Sequence, residues 1–334
     1  MSAPLSEDNS AARPTLAGHL QIARIDHWVK NVFVLPGIVV ALWIAPEKLS
    51  WELAQTVLLG FAAVCLIASS NYVINELLDA RFDRLHPVKK ARPVPSGRVS
   101  IPGAYAEWLL LMAVGLGTAA LVSRPFAVVM AVLWLMGCVY NIRPLRTKEI
   151  AYLDVLSESV NNPLRMLAGW YMVIPSGLGT VPPASLLLSY WMAGCYFMAM
   201  KRFAEYREIG DPVLAAGYRR SFAYYDERKL LVSIMFYASA AMLFLGVFIM
   251  RYRLELVLSF PLIALVMAVY LSLAFRPDSA VQAPEKLYRE PALMASVVAC
   301  AIAMTVLSFV EIPVLHRLLS PTIPGAAVKH GAPP

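Results

Sequence analysis

Three oxygen-bearing side chains fall at intervals of four near the end of an apolar run: Asn75, Asp79 and Asp83. On an α-helix that spacing stacks them along one face about two turns long. Two carboxylates and an amide oxygen so arranged can hold a hard cation such as Mg²⁺, which takes oxygen ligands and keeps water or substrate phosphate in the rest of its shell. The chain then continues into Arg84, Lys89, Lys90, Arg92 and Arg98. Metal-binding acids followed by basic side chains suit a metal-bridged diphosphate. The alternative is a solvated helix end bearing both signs of charge. Asn75 and Glu76 weigh against it, because they carry the polar face back toward the apolar run.

Three further polar groups stand out. Asp154, Glu158, Asn161 and Arg165 recur at spacings of four, three and four, a polar stripe on an otherwise apolar helix. Ionisable groups at membrane depth are costly and face either a wet cavity or a partner on another helix. Pro163 lacks a backbone donor and can open this helix locally. Lys201 and Glu205 share a face with Arg202 beside them, which fits either a phosphate grip with Glu205 near a second cation, or a basic helix end reaching for water. Arg24, His27, Lys30 and Asn31 gather at the start of the first apolar segment.

The elements that must position these groups are membrane helices. The 334 residues are 59% hydrophobic and 15% charged, well below the charged fraction of about 25% in soluble domains. Apolar runs long enough to span a bilayer fall near 29–46, 53–75, 102–122, 126–141, 152–174, 183–203, 230–250, 254–275 and 291–313. Nineteen Lys and Arg lie in the loops after the second, fourth, sixth and eighth runs, whereas the alternate loops carry only Lys48, Arg124, Arg251 and Arg253. That bias places the basic loops and the N-terminus in the cytoplasm. The formal charge of +7 is thereby explained by topology, with no nucleic-acid partner. Cys65, Cys138, Cys195 and Cys300 stand singly in apolar runs, without the spacing of a zinc site or a disulfide framework.

The expected fold is an all-α membrane protein, a bundle of about nine transmembrane helices around a central cavity open to the cytoplasm and laterally to lipid. Residues 1–22 read as a disordered cytoplasmic tail, 23–315 as a single catalytic domain and 316–334 as a flexible tail.

With these residues in hand, the chain resembles the UbiA superfamily of membrane prenyltransferases over about 24–313. The resemblance rests on Asn75-x3-Asp79-x3-Asp83 at the end of the second span and on the nine-span layout. Many members that prenylate aromatic rings carry a second aspartate-rich motif after the sixth span. Here that place holds Lys201-Arg202-x2-Glu205. Together with His27-Trp28-Val29-Lys30-Asn31, this looks more like the decaprenyl-phosphate phosphoribosyltransferase branch.

The resemblance implies that Asn75, Asp79 and Asp83 bind Mg²⁺ and that Lys30, Lys201, Arg202 and Glu205 belong to the donor site, with Asp79, Asp83, Lys201 and Glu205 as the catalytic set. Lys89, Lys90, Arg92 and Arg146 are candidate phosphate contacts. Asp154, Glu158, Asn161 and Arg165 are candidate substrate contacts. The implied substrates are phosphoribosyl pyrophosphate and a polyprenyl phosphate. Transfer from a polyprenyl diphosphate to an aromatic or other small acceptor is the alternative, and a transporter using the fifth-span stripe is a third. The visible lack of an inverted repeat counts against the third.

Overall fold

The computed structural model describes residues 13–84, 89–175, 181–282 and 284–320, the side chains of 284–286 excepted. Of the expected tails, residues 1–12 and 321–334 lie outside the described residues. Every regular element described is a helix. In chain order these are α1 (Leu16–Ile22), α2 (Leu35–Ile44), α3 (Trp51–Asp83), α4 (Ile101–Val122), α5 (Arg124–Asn141), α6 (Leu153–Ser159), α7 (Asn161–Val173), α8 (Ala184–Ile209), α9 (Pro212–Tyr218), α10 (Glu227–Tyr252), α11 (Phe260–Ala274), α12 (Pro291–Phe309) and α13 (Pro313–Leu318). Residues 16–22, expected within a loose tail, thus form a helix, started by Thr15, whose hydroxyl accepts the Gly18 N–H at 3.0 Å.

Each expected span coincides with helix, but among the described residues seven helical segments are long and apolar enough to cross a membrane. Those seven leave out the spans expected at 152–174 and 183–203. The first is divided into α6 and α7 at Val160, three residues before Pro163, whose missing N–H leaves the Ser159 carbonyl without its helical donor. The second is α8, which has the length but carries the polar residues that the site requires. The first span is a 3-10 helix over Ile25–Val34 followed by α2.

The chain divides into two compact units, Met1–Ala241 and Met242–Pro334. In the first unit α3 packs against α4, α5 and α7, and α2 lies along α7. The last contact is backbone to backbone: a Cβ on Gly37 would stand 1.9 Å from the Met166 carbonyl oxygen, and one on Gly169 2.0 Å from that of Val34. Only glycine permits that approach. Ile38, Val64, Ile67, Phe126, Met130, Leu133 and Tyr171 fill the space between these helices. At the other end of α8, Gly210 adopts φ 68°, and Asp211 caps α9 by accepting the Val213 and Leu214 N–H groups at 2.7 and 3.0 Å. This sharp turn folds the segment from α9 to Tyr225 back over the end of the unit, where the acids of α3 emerge. In the second unit, buried Glu255 accepts the Ile312 N–H at 3.3 Å and pairs with His316 at 2.9 Å, tying α13 to the start of the 3-10 turn before α11.

Candidate active site

The last turns of α3 present Asn75, Asp79 and Asp83 on one face, as their spacing requires. Across from them lies the segment after α5. Lys148 Nζ donates to Asp79 Oδ1 at 2.5 Å and to Asn141 Oδ1 at 2.8 Å, and Arg146 Nη2 reaches Asp79 Oδ1 at 3.0 Å. Asn75 Nδ2 donates to the same Asn141 oxygen at 2.6 Å. Arg146 holds φ 31°, a left-handed conformation rare for a side chain with a Cβ, and its Nη1 is pinned on the Asn141 carbonyl at 2.8 Å. Arg92 Nη1 donates to buried Asp83 Oδ2 at 2.7 Å. Glu76, off this face, is buried and accepts the Val94 N–H at 3.0 Å, anchoring the chain that follows α3.

The donor set fits a divalent cation. Among the described residues the polar contacts of Asp79 all run through Oδ1 and those of Asp83 through Oδ2. One carboxylate oxygen of each acid therefore remains for a metal. Two acids and an amide make an incomplete cage, and no group of three or more His, Cys, Asp or Glu suited to a metal occurs among the described residues. Magnesium favours such a set, since it dehydrates reluctantly and fills its octahedron with substrate phosphate and water.

A cavity of about 310 Å³ opens beside these acids and is lined by seven Lys and Arg against three carboxylates. The cations are Arg81, Lys89, Arg143, Arg146, Lys148, Arg219 and Arg220; the acids are Asp79, Asp83 and Glu149. That imbalance makes it a pocket for an anion carrying several charges. Burial pushes Lys148 down to about 8, against the pull of Asp79, and burial likewise lowers Lys89 while Glu205 opposes it. Burial works to raise the Glu149 carboxyl, but the Arg146 hydrogen bond and the charges of Arg146, Arg143 and Arg220 bring it below the usual range.

A second cluster braces this pocket. Asp154 is completely buried and accepts Tyr225 OH at 2.7 Å, Arg202 Nε at 3.1 Å and Ser221 Oγ at 3.2 Å, with Arg219 Nη1 at 3.6 Å. Arg202, itself buried, also donates to Glu205 Oε2 at 3.2 Å and to Tyr140 OH at 3.3 Å. Tyr218 OH donates to Glu205 Oε1 at 2.9 Å, Lys89 donates to Tyr218 OH, and Lys89 Nζ stands 4.0 Å from Glu205. Two loops far apart in sequence thus meet on the end of α8.

Among the sequence-derived candidates, Asp79, Asp83, Lys89 and Arg146 line the pocket, Arg92 holds Asp83, and Asn75 donates to Asn141 beside them. Lys90 is exposed and outside the pocket lining. Asp154, Arg202 and Glu205 form the brace. Lys201 lies within electrostatic reach of Glu205, Arg202, Lys30 and Glu158. A separate polar group lies deeper between helices: Arg165 Nε donates to Asn31 Oδ1 at 3.1 Å, and Lys30 Nζ meets His27 Nδ1 at 2.8 Å. Buried Asn161 Oδ1 has no hydrogen-bond partner among the described residues. Sequence reasoning did not single out Asn141, Arg143, Lys148, Tyr218, Arg219 or Arg220 as site residues. Lys148 shares the short basic loop with Arg146, and Asn141 is the polar residue closing the fourth span; both signals were open to reading.

Among the described residues, seven segments long and apolar enough to span a bilayer, with paired carboxylates among surplus basic side chains at the end of α3, mark an integral membrane protein. The chain belongs to the UbiA prenyltransferase family, whose profile matches residues 33–297. It is 31% identical over 191 residues to the decaprenyl-phosphate phosphoribosyltransferase of Mycolicibacterium smegmatis, covering 57% of each chain. To the enzyme of the same name from Mycobacterium tuberculosis it is 30% identical over 205 residues, 60% of this chain and 65% of that one. The match therefore spans less than two thirds of either relative. In fold it is similar to a UbiA homolog from Archaeoglobus fulgidus solved with DMAPP and Mg²⁺, with TM-score 0.64 and 19% identity over 88% of this chain and 100% of that one.

Proposed function

We propose that the protein transfers 5-phosphoribose from phosphoribosyl pyrophosphate to a polyprenyl phosphate in a Mg²⁺-dependent reaction, with the anion pocket facing the cytoplasm. The observation that carries this reading is the pocket itself, where Asp79 and Asp83 meet Lys148 and Arg146 beside a cavity with seven basic side chains. Asp79, Asp83 and Asn75 would hold Mg²⁺, which would supply positive charge for the pyrophosphate leaving group. Lys148 and Arg146 hold the same group through charge-assisted hydrogen bonds, so that the C1–oxygen bond breaks with its electrons on a stabilised anion. The ribosyl carbon is left electron-poor, and the acceptor, already an anionic phosphate, needs no strong general base.

The choice of donor is supported by two things. Two relatives at about 30% identity carry the name decaprenyl-phosphate phosphoribosyltransferase, while others of similar identity carry prenyltransferase names. The end of α8 carries Lys201, Arg202 and Glu205, of which Arg202 is committed to Asp154 and Glu205 is surrounded by donors. Such a carboxylate is a brace rather than half of a second metal pair. Lys201 and Lys30 stay donor-site groups in this reading, and Arg165, bonded to Asn31, is a substrate contact together with Glu158 and Asn161.

A second reading, transfer of a prenyl group from a prenyl diphosphate, draws on the solved homologs of similar fold, which hold DMAPP or GPP with Mg²⁺. Purified protein in lipid nanodiscs, given radiolabelled phosphoribosyl pyrophosphate and polyprenyl phosphate, is expected to form labelled lipid that disappears with EDTA and returns with Mg²⁺. Labelled product only from a prenyl diphosphate donor would replace the first reading with the second.

A further inference from the structure

Next to the diphosphate pocket lies a larger cleft of about 800 Å³, and the two share Arg143, Arg146, Glu149 and Arg220 in their walls. Glu149 stands at the junction. Its Oε1 accepts Arg146 Nε at 2.5 Å, and its Oε2 lies 3.8 Å from Arg143 Nη2 and 3.6 Å from Arg220 Nη1. One carboxylate thus faces three guanidinium groups. Only Arg146 is committed by a short hydrogen bond. The side chains of Arg143 and Arg220 are 67% and 77% exposed, held at long range and able to close on an anion.

The rest of the lining is largely apolar, with Pro144, Leu145, Ile150 and Ala151, and carries two aromatic rings, Tyr152 and Tyr224. Tyr152 and Tyr224 meet edge to face at 5.7 Å. Tyr152 holds φ 65°, a strained conformation for a bulky residue, and its N–H donates to Tyr225 OH at 2.5 Å. Tyr225 is in turn fixed on Asp154. Strain of this kind persists where the surroundings over-determine it, and it gathers at ligand clamps.

We infer that this cleft is the subsite for a second phosphate on the water-soluble substrate, a phosphate monoester held between Arg143 and Arg220 while the diphosphate end of the same molecule occupies the adjoining pocket. A sugar-sized spacer then lies along Tyr152 and Tyr224, whose edges and hydroxyls suit a polyhydroxylated ring. The inference rests on the donor reading above and goes further, because it names the residues that separate a doubly phosphorylated sugar from a plain prenyl diphosphate. A prenyl chain has nothing to offer Arg143 and Arg220.

The test uses the full chain in nanodiscs and calorimetric titration with ribose 5-phosphate, with Mg²⁺-pyrophosphate, and with a short-chain phosphatidic acid as the lipid-borne monoester. Two variants probe the cleft: Arg143→Gln with Arg220→Gln, and Ala223→Trp, which fills the cleft from a position outside the diphosphate pocket. Ribose 5-phosphate binding is expected to weaken by about tenfold or more in each, the size of one charge-assisted hydrogen bond. Pyrophosphate binding should stay near wild type in Ala223→Trp, which lies outside the diphosphate pocket, whereas the double variant, which removes two cations that line both cavities, should weaken both ligands. Wild-type protein that ignores ribose 5-phosphate, variants that bind it unchanged, or tighter binding of phosphatidic acid would each overturn the assignment. Turnover separates this from the donor reading. Wild-type activity on phosphoribosyl pyrophosphate with an unchanged KM in both variants refutes the cleft and keeps the donor. Absence of that activity, with ribose 5-phosphate binding still sensitive to both variants, removes the donor and keeps the cleft.

Discussion

Asp154→Asn separates a brace from a substrate contact. Asp154 has no solvent exposure and accepts from Arg202, Ser221 and Tyr225, with Arg219 at 3.6 Å. The amide keeps the size of the side chain but turns one acceptor into a donor, which must then face Arg202 or Tyr225. Removing one partner of a buried ion pair costs about 3–5 kcal/mol. Arg202 retains Glu205 and Tyr140, so the lower end of that range applies, about 3 kcal/mol. With an unfolding entropy of about 2.1 cal/mol/K per residue over 334 residues, the apparent Tm should fall by roughly 4 °C.

Activity should fall with it, because Tyr218, Arg219 and Arg220 line the anion pocket and their segment is held down through Asp154. The loss of one or two phosphate contacts would lower kcat/KM by about 10–100-fold. The assay pairs scanning fluorimetry in detergent with pyrophosphate release. A Tm within about 2 °C of wild type would refute the buried-brace argument, given the range expected from a lost ion pair. Lost turnover at an unchanged Tm would instead move Asp154 onto the substrate.

Asp79→Asn and Asp83→Asn should each abolish turnover, since each removes an anionic oxygen without changing size, while purification yield stays near wild type; activity retained in both would move the metal site elsewhere. Lys148→Met should lower kcat/KM by roughly 10–100-fold through loss of one charge-assisted contact, read from initial rates at varied diphosphate concentration, and rates equal to wild type would remove Lys148 from the pocket's chemistry. Gly169→Ala should sharply reduce folded protein in size-exclusion chromatography, because the new Cβ would meet the Val34 carbonyl oxygen at 2.0 Å; a normal monodisperse yield would show that α2 and α7 can separate.

The membrane class, the helical character of each apolar run and the acidic face of α3 were legible in the amino-acid order, although among the described residues seven segments rather than nine are long and apolar enough to cross a membrane. They depend on local properties: runs of apolar side chains, and a 3.6-residue period that puts Asn75, Asp79 and Asp83 on one side. The basic loops were legible too, yet which of their cations would reach the acids was not. Lys90 stands seven residues from Asp83 and remains outside the pocket, while Lys148, sixty-nine residues from Asp79, makes its closest contact.

The stripe on the fifth span shows the same division. Period alone puts Asp154 and Glu158 on one face, but it does not say what lies opposite. Packing of α6 against α8, and the return of the chain after Gly210, surround Asp154 with Arg202, Ser221 and Tyr225. A side chain's partner across a helix interface depends on crossing geometry and loop path. These are set by the burial of whole faces and by close approaches such as that of Gly37 and Gly169. Periodicity therefore determines which way a charged group points, and tertiary packing decides whether it meets a buried counter-charge or an open pocket.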